Sequence, residues 1–256
     1  MEVYTKDSLI EKLKEIRAMG WILNRRPGNT GGVGNTIEDL LGITENNLPI
    51  PNAAEWELKC QRIGTSSLTT LFHIEPSPRA FKFVPAVLLL KYGWPHQTIA
   101  GEMSFRQTIT GLSRSDRGFM VIVDRVERKV LVSFDFNAVD EKHRVWLNSV
   151  NQRVGLDELN PQPYWGFDDL YHKAGTKLLN CFYIQAQRKH EGHQEFFYYE
   201  KIMILQGFNF DKFLRAIEEG SLLVDFDART GHNHGTKFRL RQDRLPDLYE
   251  TVRVVS

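Results

Sequence analysis

The chain has 256 residues, of which 41% are hydrophobic and 25% are charged, a composition typical of a globular protein with a sizeable core. Its longest apolar run covers only residues 84–90, whereas a membrane-spanning helix needs ~20 apolar residues, so no membrane partner is expected. Two cysteines cannot build a disulfide framework, which favours a cytoplasmic location. A net charge of +1, taken alone, argues against a nucleic-acid partner.

Hydrophobic periodicity and turn residues predict a mixed α/β fold (α+β) with mostly antiparallel strands. In the first half of the chain, the predicted elements are a helix over 7–19, a glycine-rich loop over 28–34, a short helix over 37–41, strands over 56–62 and 67–73, and a helix over 81–92. In the second half, they are a hairpin of 119–126 and 130–136, a helix over 167–179, a hairpin of 181–187 and 195–205, a helix over 210–219, and strands over 222–227 and 236–241 separated by a loop around His232. Because the sequence shows no repeat or linker, the simplest prediction is a single domain over 1–256 with two lobes.

The strand predicted over 56–62 places reactive side chains on one face. Side chains alternate along a strand, so Leu58 and Cys60 would face a core while Glu57 and Lys59 point to the opposite, polar face. A carboxylate there can hold Mg²⁺, which prefers oxygen ligands, and the lysine can orient or deprotonate a water beside it. The pair therefore indicates a candidate site for hydrolysis.

Glu38, in the short predicted helix, is a candidate for a further carboxylate at this site. The alternative interpretations are ordinary. Glu-x-Lys on a strand is often a solvated pair, and Glu38 lies three residues after Asn35, the spacing of a helix capping box.

The net charge conceals an uneven distribution. Residues 58–130 carry 11 basic and 5 acidic groups, giving +6, and residues 231–256 carry 5 and 3, giving +2. These stretches are either chance clusters on solvated faces or surfaces that face a polyanion.

Short motifs occur in a fixed order along most of the chain. They are Gly28-Asn-Thr-Gly, Glu38-Asp-Leu-Leu, Glu45-Asn-Asn, Glu55-Trp-Glu-Leu-Lys59, Ser67-Leu-Thr-Thr-Leu-Phe-His73, Tyr92-Gly with His96-Gln-Thr, Tyr164-Trp-Gly-Phe-Asp168 and His232-Asn-His-Gly-Thr-Lys-Phe-Arg239. With this ordered set, the chain resembles the MvaI/BcnI family of restriction endonucleases, which share the MutH-like version of the PD-(D/E)XK nuclease fold.

The resemblance implies a mixed central sheet flanked by helices, with a catalytic lobe and a DNA-recognition lobe around a DNA cleft. It also implies Mg²⁺-dependent hydrolysis of double-stranded DNA at a short, G/C-rich, near-palindromic site. The enzyme would be a monomer that cuts one strand at a time. A cognate DNA methyltransferase would act in the same system without forming a complex with it.

Carried over by position, Glu57 would be a metal ligand, Lys59 the catalytic lysine and Glu38 a supporting acid. The family has an aspartate that bridges the metal sites five residues before that glutamate, and this chain has Asn52 there. Asn52 keeps a carbonyl oxygen as a metal ligand but lacks the charge, so we expect weak or absent cleavage. Either the change was engineered to block cleavage, or it is natural and Glu55 or Glu38 compensates.

Base recognition is expected on the strand over 236–241. Alternation places Lys237, Arg239 and Arg241 on one face, and arginine paired with guanine is the commonest specific contact with a base. The resemblance places this strand, with Arg239 as the guanine reader, beside the bases. It also indicates DNA contacts for His232 and His234, and for His73 at the central base pairs. Alternatively His232 and His234 form a metal pair, although zinc requires three or four ligands.

A loop-rich basic stretch provides further candidates for phosphate or base contacts, namely Arg106, Arg114 and Arg117.

Two other functions remain open at this stage. One is a site-specific DNA-binding protein without catalysis, which position 52 favours. The other is a mismatch-repair nicking endonuclease, which would need a partner ATPase for full activity.

Overall fold

The computed structural model describes residues 4–29, 31–43, 55–65, 67–79 and 82–255. Asn52 and the Glu45-Asn-Asn motif lie outside these ranges. The chain divides into two compact units: unit 1 comprises Met1–Thr69, Ala174–Phe210 and Gln242–Ser256, and unit 2 comprises Thr70–Lys173 and Asp211–Arg241. The single domain over 1–256 stays a prediction.

The mixed helix and strand content expected from the sequence is confirmed. The α-helices are α1 Lys6–Ala18, α2 Gly32–Leu40, α3 Leu89–Tyr92, α4 Arg144–Val154, α5 Phe167–Leu178 and α6 Phe210–Glu218. The strands are β1 Ile22–Leu23, β2 Glu57–Arg62, β3 Leu68–His73, β4 Trp94–Pro95, β5 Met103–Ile109, β6 Arg117–Asp124, β7 Lys129–Val139, β8 Tyr164–Gly166, β9 Asn180–Glu191, β10 Gln194–Phe208, β11 Leu222–Arg229, β12 His232–Arg241 and β13 Tyr249–Val254. A π-helical turn, Val84–Leu88, precedes α3. In the described residues, no helix is both long and apolar enough to span a membrane.

Helix α1 shows why its sequence folds locally. The Thr5 side chain accepts a hydrogen bond from the Ser8 backbone N–H, and the Ser8 side chain accepts one from the Thr5 backbone N–H, so the first turn is capped. Leu9, Leu13 and Ile16 recur at helical spacing and are all buried. This apolar stripe forms part of the core of unit 1.

The sheet of unit 1 has the strand order β1-β10-β9-β2, and β13 also pairs with β10. Strand β2 runs parallel to β9, with Glu57 opposite Cys181 and Lys59 opposite Tyr183, whereas the pairings of β10 with β1, β9 and β13 are antiparallel. Strand β2 therefore carries its reactive side chains beside residues 181–186 of β9, which are mostly buried.

Unit 2 contains two sheets. One has the order β3-β12-β11-β5-β4 and the other the order β6-β7-β8. Phe72, Phe213 and Phe238 stack beneath the first sheet with ring centroids 5.2–5.9 Å apart. Strands β5, β11 and β12 therefore have one apolar face and one polar face.

Three predicted features need correction. The glycine-rich stretch is a loop only in part, because α2 begins at Gly32; a Cβ there would lie 2.8 Å from Asn24 Nδ2, so this glycine permits close packing. Asn35 lies inside α2 and does not cap it, since the helix begins after Gly31. His232 does not lie in a loop, because β12 begins with it and pairs it with Arg229 of β11.

Candidate active site and nucleic-acid interface

The predicted carboxylate–lysine pair lies on β2. Glu57 is 1% exposed and its Oε1 lies 2.7 Å from Lys59 Nζ. Leu58 and Cys60 pack on the opposite side against the core of unit 1, as the alternation predicted. A salt bridge this deeply buried is held in one geometry, because separating the charges would leave an uncompensated ion in the interior.

A second lysine contacts the same carboxylate oxygen. Lys177, on the last turn of α5, places its Nζ 3.7 Å from Glu57 Oε1. Lys177 was not predicted as a site residue. It lies about 120 positions from Glu57, and no spacing pattern connects a strand residue with a helix residue so far along the chain. Two cations thus face one oxygen of Glu57.

The other oxygen of Glu57 fits a cation. Glu57 Oε2 is buried and has no hydrogen-bond partner among the described residues. An unsatisfied buried carboxylate oxygen is costly, and a hard divalent cation such as Mg²⁺ prefers this kind of ligand. The described residues contain no cluster of three or more histidine, cysteine or acidic side chains arranged for a metal.

Lys59 is held in its charged form. Burial lowers the pKa of Lys59, but the Glu57 carboxylate outweighs this effect, with a smaller contribution from Glu38, and the pKa lies above its usual value. Lys59 is therefore a cation and hydrogen-bond donor, which suits orienting a water or a phosphate rather than removing a proton. The structure thus places Glu38 in the electrostatic surroundings of the pair.

Two further predictions about this site have different outcomes. Glu55 lies in a turn before β2 and is exposed, unlike the buried Glu57, so the structure gives no support for its acting as a replacement ligand. Burial raises the pKa of the Cys60 thiol well above its usual range, which agrees with an inert side chain.

The polar face of the first sheet in unit 2 carries alternating charges; we call it the charged face. Asp227 of β11 accepts hydrogen bonds from Arg106 Nε on β5 (2.6 Å) and Lys237 Nζ on β12 (3.2 Å). Asp225, two residues earlier, accepts from Thr108 Oγ1 on β5 (2.9 Å) and Arg239 Nη1 on β12 (3.3 Å). Each aspartate therefore holds one donor on β5 and one donor on β12 in place.

The two aspartates were not predicted as site residues, although the sequence contained a signal for them. Asp225 and Asp227 are spaced by two on a strand that pairs with the predicted reading strand, so they share a face. The interpretation of Arg106 also needs correction, since it lies on β5 and not in a loop. That strand was not predicted.

The predicted histidines also lie on this sheet. His232 and His234 are exposed at the start of β12, with parallel rings whose centroids are 6.2 Å apart. His73, exposed at the end of β3, lies beside Gly235, since a Cβ there would be 3.6 Å from His73 Cδ2. Arg241, at the far end of β12, is exposed.

Two predicted arginines lie elsewhere in unit 2. Arg114 donates hydrogen bonds to the Gly118 carbonyl (2.9 Å) and the Ser133 hydroxyl (3.1 Å), so it holds a connection between strands. Arg117 begins β6 and packs against the rings of Trp94 and Trp146. Contacts of these residues with DNA stay predictions.

The charged face combines the donors and acceptors that distinguish base pairs. Arginine donates to guanine O6 and N7, and a carboxylate accepts from the cytosine amino group. Arg239 and Asp225 provide both kinds of group on adjacent strands. The arrangement therefore suits recognition of G·C pairs.

Arg239→Ala is expected to cost about 1–3 kcal/mol of discrimination between G·C and A·T at one position of the bound site, because the guanidinium is the proposed guanine reader. Competition binding with duplexes that differ at single positions measures this cost. Arg215→Ala is the control, because Arg215 is exposed and paired with Asp211 on α6. Unchanged discrimination in the Arg239 variant would contradict the assignment.

Asp227→Asn is expected to lower the melting temperature near neutral pH but not in acid. Partial burial raises the pKa of Asp227, but the hydrogen bonds from Arg106 and Lys237 outweigh it and hold the pKa below the ordinary 3.8. A carboxyl whose folded-state pKa is depressed stabilises the protein above its unfolded pKa, and this contribution is lost as the pH falls through the folded pKa. The difference in melting temperature from the unmodified chain should therefore be complete at about pH 6 and shrink steadily below pH 3.8. A difference that persists undiminished in strong acid would refute the role of these ion pairs.

A buried carboxylate–lysine pair and a sheet face of paired arginine, lysine and aspartate side chains are both features expected of a site-specific nuclease. Comparison with known families agrees with this class. The profile of the MvaI/BcnI restriction endonuclease family matches residues 10–249. The chain therefore belongs to the MvaI/BcnI restriction endonuclease family and is a site-specific deoxyribonuclease, which confirms the resemblance seen in the sequence.

Solved structures show the same fold. One is restriction endonuclease MvaI in a complex with a cognate DNA substrate. Its sequence is 25% identical to this chain, and the two structures superpose with a TM-score of 0.78 over 99% of this chain and 100% of that chain. Restriction endonuclease MvaI in the absence of DNA is also 25% identical, with a TM-score of 0.58 over 100% of both chains. A search of curated proteins found no match.

Proposed function

We propose that the chain is a type II restriction endonuclease that hydrolyses double-stranded DNA with Mg²⁺ at a short, G/C-rich, near-palindromic site. It acts as a monomer that cuts the two strands in turn. The observation that carries the proposal is the buried Glu57–Lys59 pair, in which one carboxylate oxygen binds lysine and the other is open to a cation. The arginines and aspartates of the charged face support a G/C-rich site, since they offer both donors and acceptors.

The residues divide the chemistry among themselves. Glu57 Oε2 and the side chain at position 52 would hold Mg²⁺, with Glu38 as a supporting acid. When bound, the ion lowers the pKa of a water and offsets charge on the phosphoryl oxygen. Lys59, fixed by Glu57 Oε1, orients the attacking water or the phosphate, and Lys177 holds the same oxygen from the other side.

The cell provides the remaining components. We place the enzyme in the cytoplasm, where its DNA substrate lies. A cognate DNA methyltransferase protects the host's own sites without binding this chain. The family match supports restriction over mismatch-repair nicking, because the family is one of restriction endonucleases.

A catalytically silent, site-specific DNA-binding protein is the second candidate. Position 52 favours it, because an amide there gives the metal an oxygen but no charge. Cleavage by the Asn52→Asp variant separates the two candidates.

Footprinting on a duplex of mixed sequence tests the shared part of the proposal. The unmodified chain is expected to protect one short G/C-rich sequence wherever it occurs, because the charged face reads bases directly. Lys237→Met is expected to weaken that protection, since Lys237 lies on the reading strand. Lys14→Met serves as the control, because Lys14 is paired with Glu11 on the surface of α1. Uniform protection of the whole duplex, or none, would contradict sequence-specific binding.

A further inference from the structure

A cavity of about 770 Å³ opens in unit 2, beside the start of β6. Its lining combines rings and apolar side chains with cations, including Trp94, Trp146, Met103, Arg106, Arg117 and Lys142. This size is ordinary for a site that binds a small organic ligand. Apart from Arg106, which also belongs to the charged face, its lining residues belong neither to the proposed metal site nor to that face.

Arg117 is the central cation of this cavity. Its guanidinium carbon lies 4.0 Å from the centroid of the Trp94 ring and 5.6 Å from that of Trp146. The two rings are nearly perpendicular to each other, so they enclose the guanidinium on adjacent sides by cation–π contact. The side of the guanidinium away from both rings, with its terminal N–H donors, is left for a ligand.

The hydrogen-bonding capacity of Arg117 is incompletely used. Its Nε is buried and has no partner among the described residues. The nearest carboxylate oxygen, Asp116 Oδ1, lies 3.8 Å from Nη1. Asp116 is moreover shared, because its Oδ2 lies 2.8 Å from His143 Nε2 and 3.0 Å from Lys142 Nζ. Burial lowers the pKa of Arg117, as expected of a cation with too little counter-charge.

A phosphate fits this arrangement. A guanidinium edge matches the geometry of phosphate oxygens, and the ion pair would supply the missing counter-charge. Arg153, which also lines the cavity, donates to the carbonyls of Leu90 and Gly93 and so has a structural role. The apolar walls leave space for more than the phosphate alone.

We propose that this cavity binds the phosphate of a nucleotide at the guanidinium edge of Arg117, with the sugar and base against the apolar wall. The proposed ligand is a free mononucleotide. Arg106 contributes both to this cavity and to the charged face, so contact with a phosphate of bound DNA is the alternative that the test separates from it. The site goes beyond the proposed function, because free ligands can occupy it without any cleavage.

Calorimetric titration of the whole chain with dAMP and with inorganic phosphate tests the free ligands, and fluorescence anisotropy with a labelled duplex tests DNA. For dAMP, we expect binding about tenfold weaker in Arg117→Met, since one charge-assisted contact is lost. Arg117→Lys keeps the charge but not the planar set of donors, so it should weaken binding similarly. Circular dichroism of each variant checks that it is folded. Arg125→Met is the matched control, because Arg125 pairs with Asp211 and Glu218 outside the cavity.

The pattern of binding identifies the source of the phosphate. Arg117-dependent binding of dAMP assigns the cavity to a free nucleotide. Arg117-dependent binding of the duplex or of phosphate without binding of dAMP would overturn the proposal, because the cavity would then contact a phosphate of DNA or an isolated anion. The proposal is also wrong if the Arg117→Lys variant binds dAMP as tightly as the unmodified chain does.

Discussion

Asn52→Asp is expected to raise the rate of plasmid cleavage with Mg²⁺ by about a hundredfold or more, the order of magnitude for one charge-stabilising group in an active site. The physical reason is the charge on the ligand. A carboxylate at position 52 would add a second anionic oxygen to the one that Glu57 Oε2 offers, and two anionic ligands hold a hard cation more tightly than one carboxylate and one amide. The measurement is the time course of supercoiled, nicked and linear plasmid for both proteins.

Asn151→Asp is the matched control, because Asn151 is exposed on α4 and the substitution makes the same change in charge. Equal, rapid cleavage by the unmodified chain and the Asn52→Asp variant would contradict the expected role of position 52. Sequence-specific binding without cleavage by either protein would instead favour the silent DNA-binding protein.

The strands that carry the candidate site were predictable because one of their faces is apolar. Along 56–61 and 237–241, hydrophobic and polar residues alternate strictly, and burial of the apolar set fixes the direction of every other side chain. Glu57 and Lys59 therefore lie on one face of β2, as predicted. The same alternation correctly placed Lys237 and Arg239 together on the polar face of β12.

Other elements were missed for physical reasons. Strand β13 pairs with β10, yet five of its six residues are exposed, so no apolar alternation marks it. Helix α4 was also not predicted, although its sequence carries a signal. Trp146, Leu147 and Val150 lie on one helical face and are buried. The contact of Lys177 with Glu57 depends on tertiary packing and has no local signal.

The charged face explains how a nearly neutral chain can serve a polyanionic substrate. Arg106, Lys237 and Arg239 are paired there with two aspartates, so much of the positive charge is balanced within the face. Non-specific attraction to phosphates is thereby limited, because it depends on uncompensated cations. The aspartates also hold the cations in fixed positions, which favours recognition of particular bases over general attraction.

Lys59→Met, made in the Asn52→Asp background, is expected to lower cleavage by about 10²–10⁴-fold while sequence-specific binding remains, because Lys59 acts on the reacting groups. Lys177→Met should lower it by only about tenfold, because Lys177 positions Glu57 from 3.7 Å whereas Lys59 lies at 2.7 Å. Single-turnover cleavage at saturating protein separates these effects from DNA affinity.

The two lysines also differ in a readout that does not involve cleavage. Glu57 is 1% exposed, so removing either lysine leaves a buried carboxylate with less counter-charge and should lower the melting temperature. If Lys177 only positions the carboxylate, Lys177→Arg should restore both the melting temperature and cleavage, whereas Lys59→Arg should restore the melting temperature alone. Full cleavage by Lys59→Met, or an equal loss of cleavage in the Lys177→Met variant, would refute this division of roles. A lysine that orients the water or the phosphate must contribute more to cleavage than a lysine that only positions Glu57.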